Sequence, residues 1–234
     1  MKRFVNINMC GTLIDKGCWS NVNAFQKAFK YFGIDVHEKT IRKTSHFGQW
    51  NQVLFIMTRT GSKQQWLESN GRHMCEGDNI DIVHKLNCLF PQYIDECGKT
   101  IRGAKQLTSK LRDNGYYITC THDLLPSQAW LFSDLMDEQG VHVDELISNQ
   151  YLTQVKNYNN DYLITVADSF RDVYNGLVVH SNKIIGVSNG SGTFSKDGKL
   201  RCEESTQSYI DLCQADSIVY NLDDIQVDRK NGFI

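Results

Sequence analysis

Near the start of the chain, apolar residues come as a run and then stop. In FVNINMCGTLID, residues 4 to 15, a mostly apolar stretch leads to the polar Asn8, Gly11-Thr12 follows, and a second apolar pair is closed by Asp15. This pattern predicts a buried strand whose end delivers side chain 8 to a site, with Gly11 letting the backbone turn away. A plain strand and turn would read the same way, so the rest of the chain has to decide. Val22, Phe25, Phe29 and Phe32 recur at helical spacing, with Gly33 as a stop signal. Residues 36 to 98 keep helix-compatible spacing, through Trp50, Val53, Leu54 and Met57, then Ile80, Ile82, Val83, Leu86 and Leu89. They are expected to form a helical block that ends in LFPQYIDECGKTIRG, where Pro91 and Gly103 punctuate.

Strand and helix patterns then alternate. A helix is predicted over 104 to 112, a strand over 115 to 121 (GYYITCT), a helix over 127 to 139 and a short strand at ELIS, 145 to 148. Next come a strand over 162 to 168, a helix over about 170 to 180, a strand over 183 to 188, a helix over 206 to 214 and a last strand over 217 to 221. Such alternation predicts an α/β fold with a parallel sheet covered on both faces. Ligands of such sheets bind beyond the carboxyl ends of the strands. Asn8, Thr121 and Asp168 all fall at those ends, on three different strands. The polar VKNYNND (155 to 161) reads as a loop, and the turn-rich 188 to 200 as a loop or small hairpin.

Composition narrows the function classes. The 234 residues are 41% hydrophobic and 22% charged with a net charge of -2, which favours neither a nucleic acid nor an anionic membrane as partner. The basic start MKRFVNINMC lacks a long apolar stretch or cleavage-like site, and no run approaches a spanning helix, so a soluble, cytoplasmic protein is expected. Eight cysteines without a Cys-x-x-Cys pair are expected to be reduced thiols. Seven histidines without a His-x-x-x-His pair argue against zinc.

Asp168 and Asp172, in VADSFRDVYNG, lie four apart at a strand end and in the helical turn after it. They can converge on one hard cation, or be a helix-capping aspartate and a solvated one. The stretch resembles the fourth motif of the haloacid dehalogenase superfamily, a strand followed by G-D-S-x-x-D-h-x-x-G, with Ala167 in place of the first glycine. FVNINMCGTLID resembles that superfamily's first motif, D-x-x-G-T-h-h-D, except at its first residue, and ADSIVYNLDDI (215 to 225) resembles its last strand. Within the superfamily most of the first 125 residues resemble phosphonoacetaldehyde hydrolase. NMCGTLIDKGCW resembles that family's D-W-A-G-T-T-V-D-x-G-C-F, and IRKTSHFGQWNQVLFI its cap segment A-R-K-P-M-G-L-L-K-I-D-H-V. The stretch FPQYIDECGKTIRGAKQLTSKLRDNGYYI is similar to the run into its second motif.

The resemblance implies a Rossmann-like core from residues 1 to 17 and 99 to 234, with a helical cap from 18 to 98. In that family an aspartate attacks phosphorus, Mg2+ neutralises the phosphoryl oxygens, and a cap lysine forms a Schiff base with the aldehyde. Carried over, the nucleophile falls on Asn8 and the Schiff-base lysine on Gln49. The metal ligands fall on Asn8, the Cys10 carbonyl, Asp168 and Asp172. Thr121 or His122 stands at the second motif. Lys156 is the available basic residue of the third, or else a surface lysine. Thr12 joins Asn8 and Thr121 as a candidate phosphate contact.

An amide is a poor nucleophile and carries no charge. Two readings follow. In the first, the chain binds a phosphate or phosphonate ligand with impaired or absent hydrolysis, as a phosphonatase-like pseudoenzyme with a weakened Mg2+ site. In the second, it is an active Mg2+-dependent hydrolase of phosphonates or phosphoesters whose residue 8 is naturally an aspartate. Cys10, where superfamily phosphatases usually carry an acid-base aspartate, argues against ordinary phosphomonoester hydrolysis. Gln49 removes the phosphonatase lysine, and only a re-aimed Lys43 could replace it. The resemblance also implies a homodimer formed through the cap.

Overall fold

The computed structural model describes residues 3–16, 18–44, 48–154, 162–188, 214–228 and 232–233. The chain divides into two compact units, Met1–Cys18 with Gly98–Ile234, and Trp19–Cys97. No described helix is long and apolar enough to cross a membrane. The six described cysteines, at 10, 18, 75, 88, 97 and 120, are free thiols.

The first unit is built on a six-stranded parallel sheet. Its strands are β1 (Arg3–Asn8), β2 (Tyr116–His122), β3 (Glu145–Ser148), β4 (Tyr162–Ala167), β5 (Lys183–Val187) and β6 (Ser217–Val219), in the order β3-β2-β1-β4-β5-β6. The central strands are covered on both faces, which is why they read as apolar runs. Val5, Ile7, Ile118, Cys120, Ile164 and Val166 are fully buried. Because β2 and β3 lie on one side of β1 and β4 to β6 on the other, the strand order reverses between β1 and β4, the switch point beyond whose carboxyl ends sheets of this kind bind ligands.

The sheet's helices include α6 (Ala104–Asp113), α7 (Pro126–Glu138) and α8 (Phe170–Val178). Gly103, the predicted punctuation, precedes α6 with φ 88°, and a side chain there would collide with the Asp223 backbone nitrogen at 2.7 Å. In α7 the buried stripe is Ala129, Phe132 and Met136, while Trp130 and Leu131 of the same apolar run face outward. The predicted helix over 206 to 214 lies outside the described residues except Gln214, as do the segment 155 to 161 and most of 188 to 200.

The second unit is helical, with α1 (Trp19–Tyr31), α2 (Glu38–Thr44), α3 (Gln49–Thr58), α4 (Thr60–Asn70) and α5 (Glu76–Cys97). Val22, Phe25 and Phe29 of α1 and Ile82, Leu86, Phe90 and Ile94 of α5 are buried, and these two helices make the unit's main packing pair. The expectation that Pro91 helps to end the helical block is corrected, because Pro91 lies inside α5. Its ring is exposed, and the apolar stripe from Ile82 to Ile94 runs past it at four-residue intervals. Burial of Phe90 and Ile94 offsets the one backbone hydrogen bond that a proline cannot donate.

At the start of α5, Asp78 is 3% exposed yet ionised. Its carboxylate accepts two hydrogen bonds from the Arg72 guanidinium, at 2.6 and 2.8 Å, and one from the Cys75 backbone N–H at 2.7 Å. The hydrogen bonds from Arg72 hold its pKa well below the usual carboxylate range, against the opposing effect of burial.

Candidate functional site

The loop after β1 carries the first half of the site. Gly11 adopts φ 89°, a left-handed conformation that suits glycine, and its N–H donates to the Ile14 carbonyl at 2.9 Å. Residues 13 and 15 tie the loop to the segment before α6, with Ile101 N–H donating to the Leu13 carbonyl at 2.8 Å and Asp15 N–H to Lys99 at 3.0 Å. The loop is thus pinned at both ends.

The turn from β4 into α8 carries the second half. Ser169 is the N-cap of α8, its hydroxyl accepting from the Asp172 N–H at 3.3 Å. Asp168 is therefore not the cap, and Asp172, at 6% exposure, is not solvated. Asp168 is 3% exposed. Asn8 sits opposite Thr121 in the β1–β2 register, and β1 and β4 pair directly.

Asn8 joins the two halves. Its Nδ2 donates to the Cys10 carbonyl oxygen at 2.9 Å and to Asp168 Oδ1 at 3.0 Å, and the Thr12 hydroxyl donates to the same Asp168 oxygen at 2.8 Å. Ser169 Oγ donates to Asp172 Oδ2. Burial, then the neighbouring Asp168, pushes the Asp172 carboxyl far above the usual range, so that it holds its proton at neutral pH. Desolvation also pushes the Cys10 thiol well above its ordinary value, which leaves it protonated and a weak nucleophile.

Beside this centre lies a network that the sequence did not single out. Asp123, just past β2, accepts from Arg171 of α8 at 2.8 Å and from Asn149 Nδ2 at 2.9 Å. Arg171 stands between the two motif aspartates in sequence, but nothing in the sequence names its partner. His122 is 7% exposed, burial lowers its pKa, and its Nδ1 has no hydrogen-bond partner among the described residues. It is a neutral imidazole.

Of the candidates, Asn8, Cys10, Thr12 and Asp168 are joined by hydrogen bonds. Thr121 pairs with Asn8 across the strands, and Asp172 follows through Ser169. Gln49 begins α3 in the helical unit, and Lys156 lies outside the described residues.

The resemblance in sequence would assign a divalent cation to residue 8, the Cys10 carbonyl, Asp168 and Asp172. As they stand these groups do not fit one. The oxygens of Cys10 and Asp168 already receive the two amide hydrogens of Asn8. Among the described residues no group of three or more His, Cys, Asp or Glu side chains is arranged to hold a metal ion.

No family model matches the chain. Its sequence is similar to phosphonoacetaldehyde hydrolase of Bordetella pertussis, 26% identical over 105 residues, which cover 45% of this chain and only 38% of that protein. The phosphonoacetaldehyde hydrolase of Bacteroides fragilis is 21% identical over 185 residues, 73% of this chain and 70% of the relative. Among solved structures, a phosphonoacetaldehyde hydrolase-like protein from Oleispira antarctica superposes with a TM-score of 0.80 at 17% identity, covering 95% of this chain and 89% of that one. A β-phosphoglucomutase from Clostridium difficile superposes with a TM-score of 0.64 at 14% identity, covering 97% and 94%. With this sheet order and these likenesses, the chain is similar in sequence to phosphonoacetaldehyde hydrolases and shares the fold of a phosphonoacetaldehyde hydrolase-like protein.

Proposed function

We propose that the chain binds a small phosphate- or phosphonate-bearing molecule at the carboxyl ends of β1, β2 and β4 and does not hydrolyse it. The observation that carries this reading is Asn8: where the resemblance calls for a nucleophilic carboxylate, an amide donates both hydrogens to neighbouring oxygens. An amide so held cannot attack phosphorus, and the protonated Cys10 thiol is no substitute. Thr121 and the neutral His122 are the proposed ligand contacts on β2.

The competing reading, a Mg2+-dependent hydrolase with an aspartate at residue 8, draws on the retention of Thr121, Asp168 and Asp172. A turnover panel of phosphonates and phosphomonoesters separates the two, run on the chain, on Asn8→Asp and on Asn8→Asp with Gln49→Lys. The unmodified chain is expected to show no turnover. Asn8→Asp should be weakly active at most on phosphonoacetaldehyde, and the double variant should exceed it, because attack at phosphorus and stabilisation of the carbon leaving group need separate groups. Robust turnover by the unmodified chain would overturn the proposal.

A further inference from the structure

Two carboxylates buried side by side need positive charge, protons or hydrogen-bond donors between them. A hard cation is one solution. This chain shows another, with separate donors for each acid: the Asn8 amide hydrogens reach the Cys10 carbonyl at 2.9 Å and Asp168 Oδ1 at 3.0 Å, the Thr12 hydroxyl donates to the same Asp168 oxygen at 2.8 Å, and the Ser169 hydroxyl donates to Asp172. An ion in that position would lie against N–H hydrogens, which carry partial positive charge, and would find one anionic ligand fewer than an aspartate at residue 8 would supply. Turning the amide to offer its oxygen would forfeit both hydrogen bonds and, without an ion, would set three oxygens against one another.

We infer that the Asn8 side chain takes the cation's place, so that the site is complete without a divalent metal and receives its phosphoryl or phosphonyl ligand independently of one. This rests on the proposed binding function but can fail separately from it. The neutral amide also spares an incoming anion the repulsion of a further carboxylate.

Titration calorimetry of Mg2+ into the full chain is expected to give no saturable binding up to roughly 10 mM, about ten times the dissociation constant of the weakest Ca2+ modules. Its melting temperature should be the same in Mg2+ as in EDTA. Asn8→Asp should melt lower in EDTA, recover on addition of Mg2+, and bind the ion about tenfold or more tightly than the unmodified chain does. Saturable Mg2+ binding with a rise in melting temperature in the unmodified chain would overturn the inference, and this measurement decides even if Asn8→Asp does not fold.

Inorganic phosphate, titrated in EDTA and in Mg2+, separates the two claims. Equal binding in both supports both. Binding only with Mg2+ overturns the inference and leaves the binding function standing. No phosphate binding in either condition, with no Mg2+ heat, upholds the metal-free site and sinks the binding function.

Discussion

Asp78 in the helical unit and Asp172 in the sheet unit are buried to nearly the same degree, 3% and 6% exposed, and end in opposite charge states. Asp78 faces a guanidinium and a backbone N–H and stays ionised far into acid. Asp172 faces a second carboxylate and a serine hydroxyl and keeps its proton. Burial alone therefore does not decide the charge of a carboxylate. What decides it is whether the groups brought to meet it are donors or another acid. In the helical unit the partners are local, six and three residues away in sequence. In the sheet unit Asp172's partners are local too, Ser169 and Asp168 at three and four residues, while Asp168 itself meets Asn8, 160 residues away.

The largest expected effect comes from removing the acceptor on which the sheet site converges. Asp168→Ala leaves the Asn8 amide and the Thr12 hydroxyl without their shared oxygen, and should cost about 2–6 kcal/mol in urea unfolding, at about 1–3 for each orphaned group. A cost near zero would show that these hydrogen bonds do not hold the two strand ends together.

Asp78→Asn should cost less, about 1 kcal/mol, the scale of a lost helix cap, because the exposed Arg72 contributes little through solvent. The folded pKa of Asp78 is depressed, so its contribution is fully present above the unfolded carboxylate value of about 4 and is lost as pH falls below it. Urea melts from pH 7 downward should show the unmodified chain and Asp78→Asn converging under acid. Curves that stay parallel would remove Asp78 from the acid response.

The smallest effect has the opposite sign. Asp172→Asn replaces a carboxyl pressed against another carboxylate by a neutral group of the same shape, and at neutral pH should be neutral or stabilising by about 1 kcal/mol. A clear loss of stability would mean that the Asp172 carboxyl makes contacts an amide cannot reproduce, and the contrast with Asp78 would weaken.

Much of this molecule was legible as period and punctuation. Apolar runs set β1, β2, β4 and β5, four-residue stripes set α1 and α5, and Gly103 marked the return to the sheet unit, because these signals depend on which face a residue must bury. The motif spacing likewise put Asn8, Thr121 and Asp168 at strand ends. Pro91 misled, since proline is a local rule and a long buried stripe on α5 overrode it. The exposed Trp130 and Leu131 on α7 show a related limit: period says which residues share a helix face, but not where the sheet lies.

By itself the sequence determined the alternation of elements and the residue type at each strand end, an amide at 8 and carboxylates at 168 and 172. Only the tertiary structure decided what those groups mean to one another. That the Asn8 amide donates to Asp168, that Ser169 rather than Asp168 caps α8, and that Asp123 draws in Arg171 and Asn149 are facts of distance between segments remote in the chain. The physical reason is that hydrogen bonds and charge interactions act over a few ångströms in space, and a linear pattern carries no record of which distant donor will meet a buried acid.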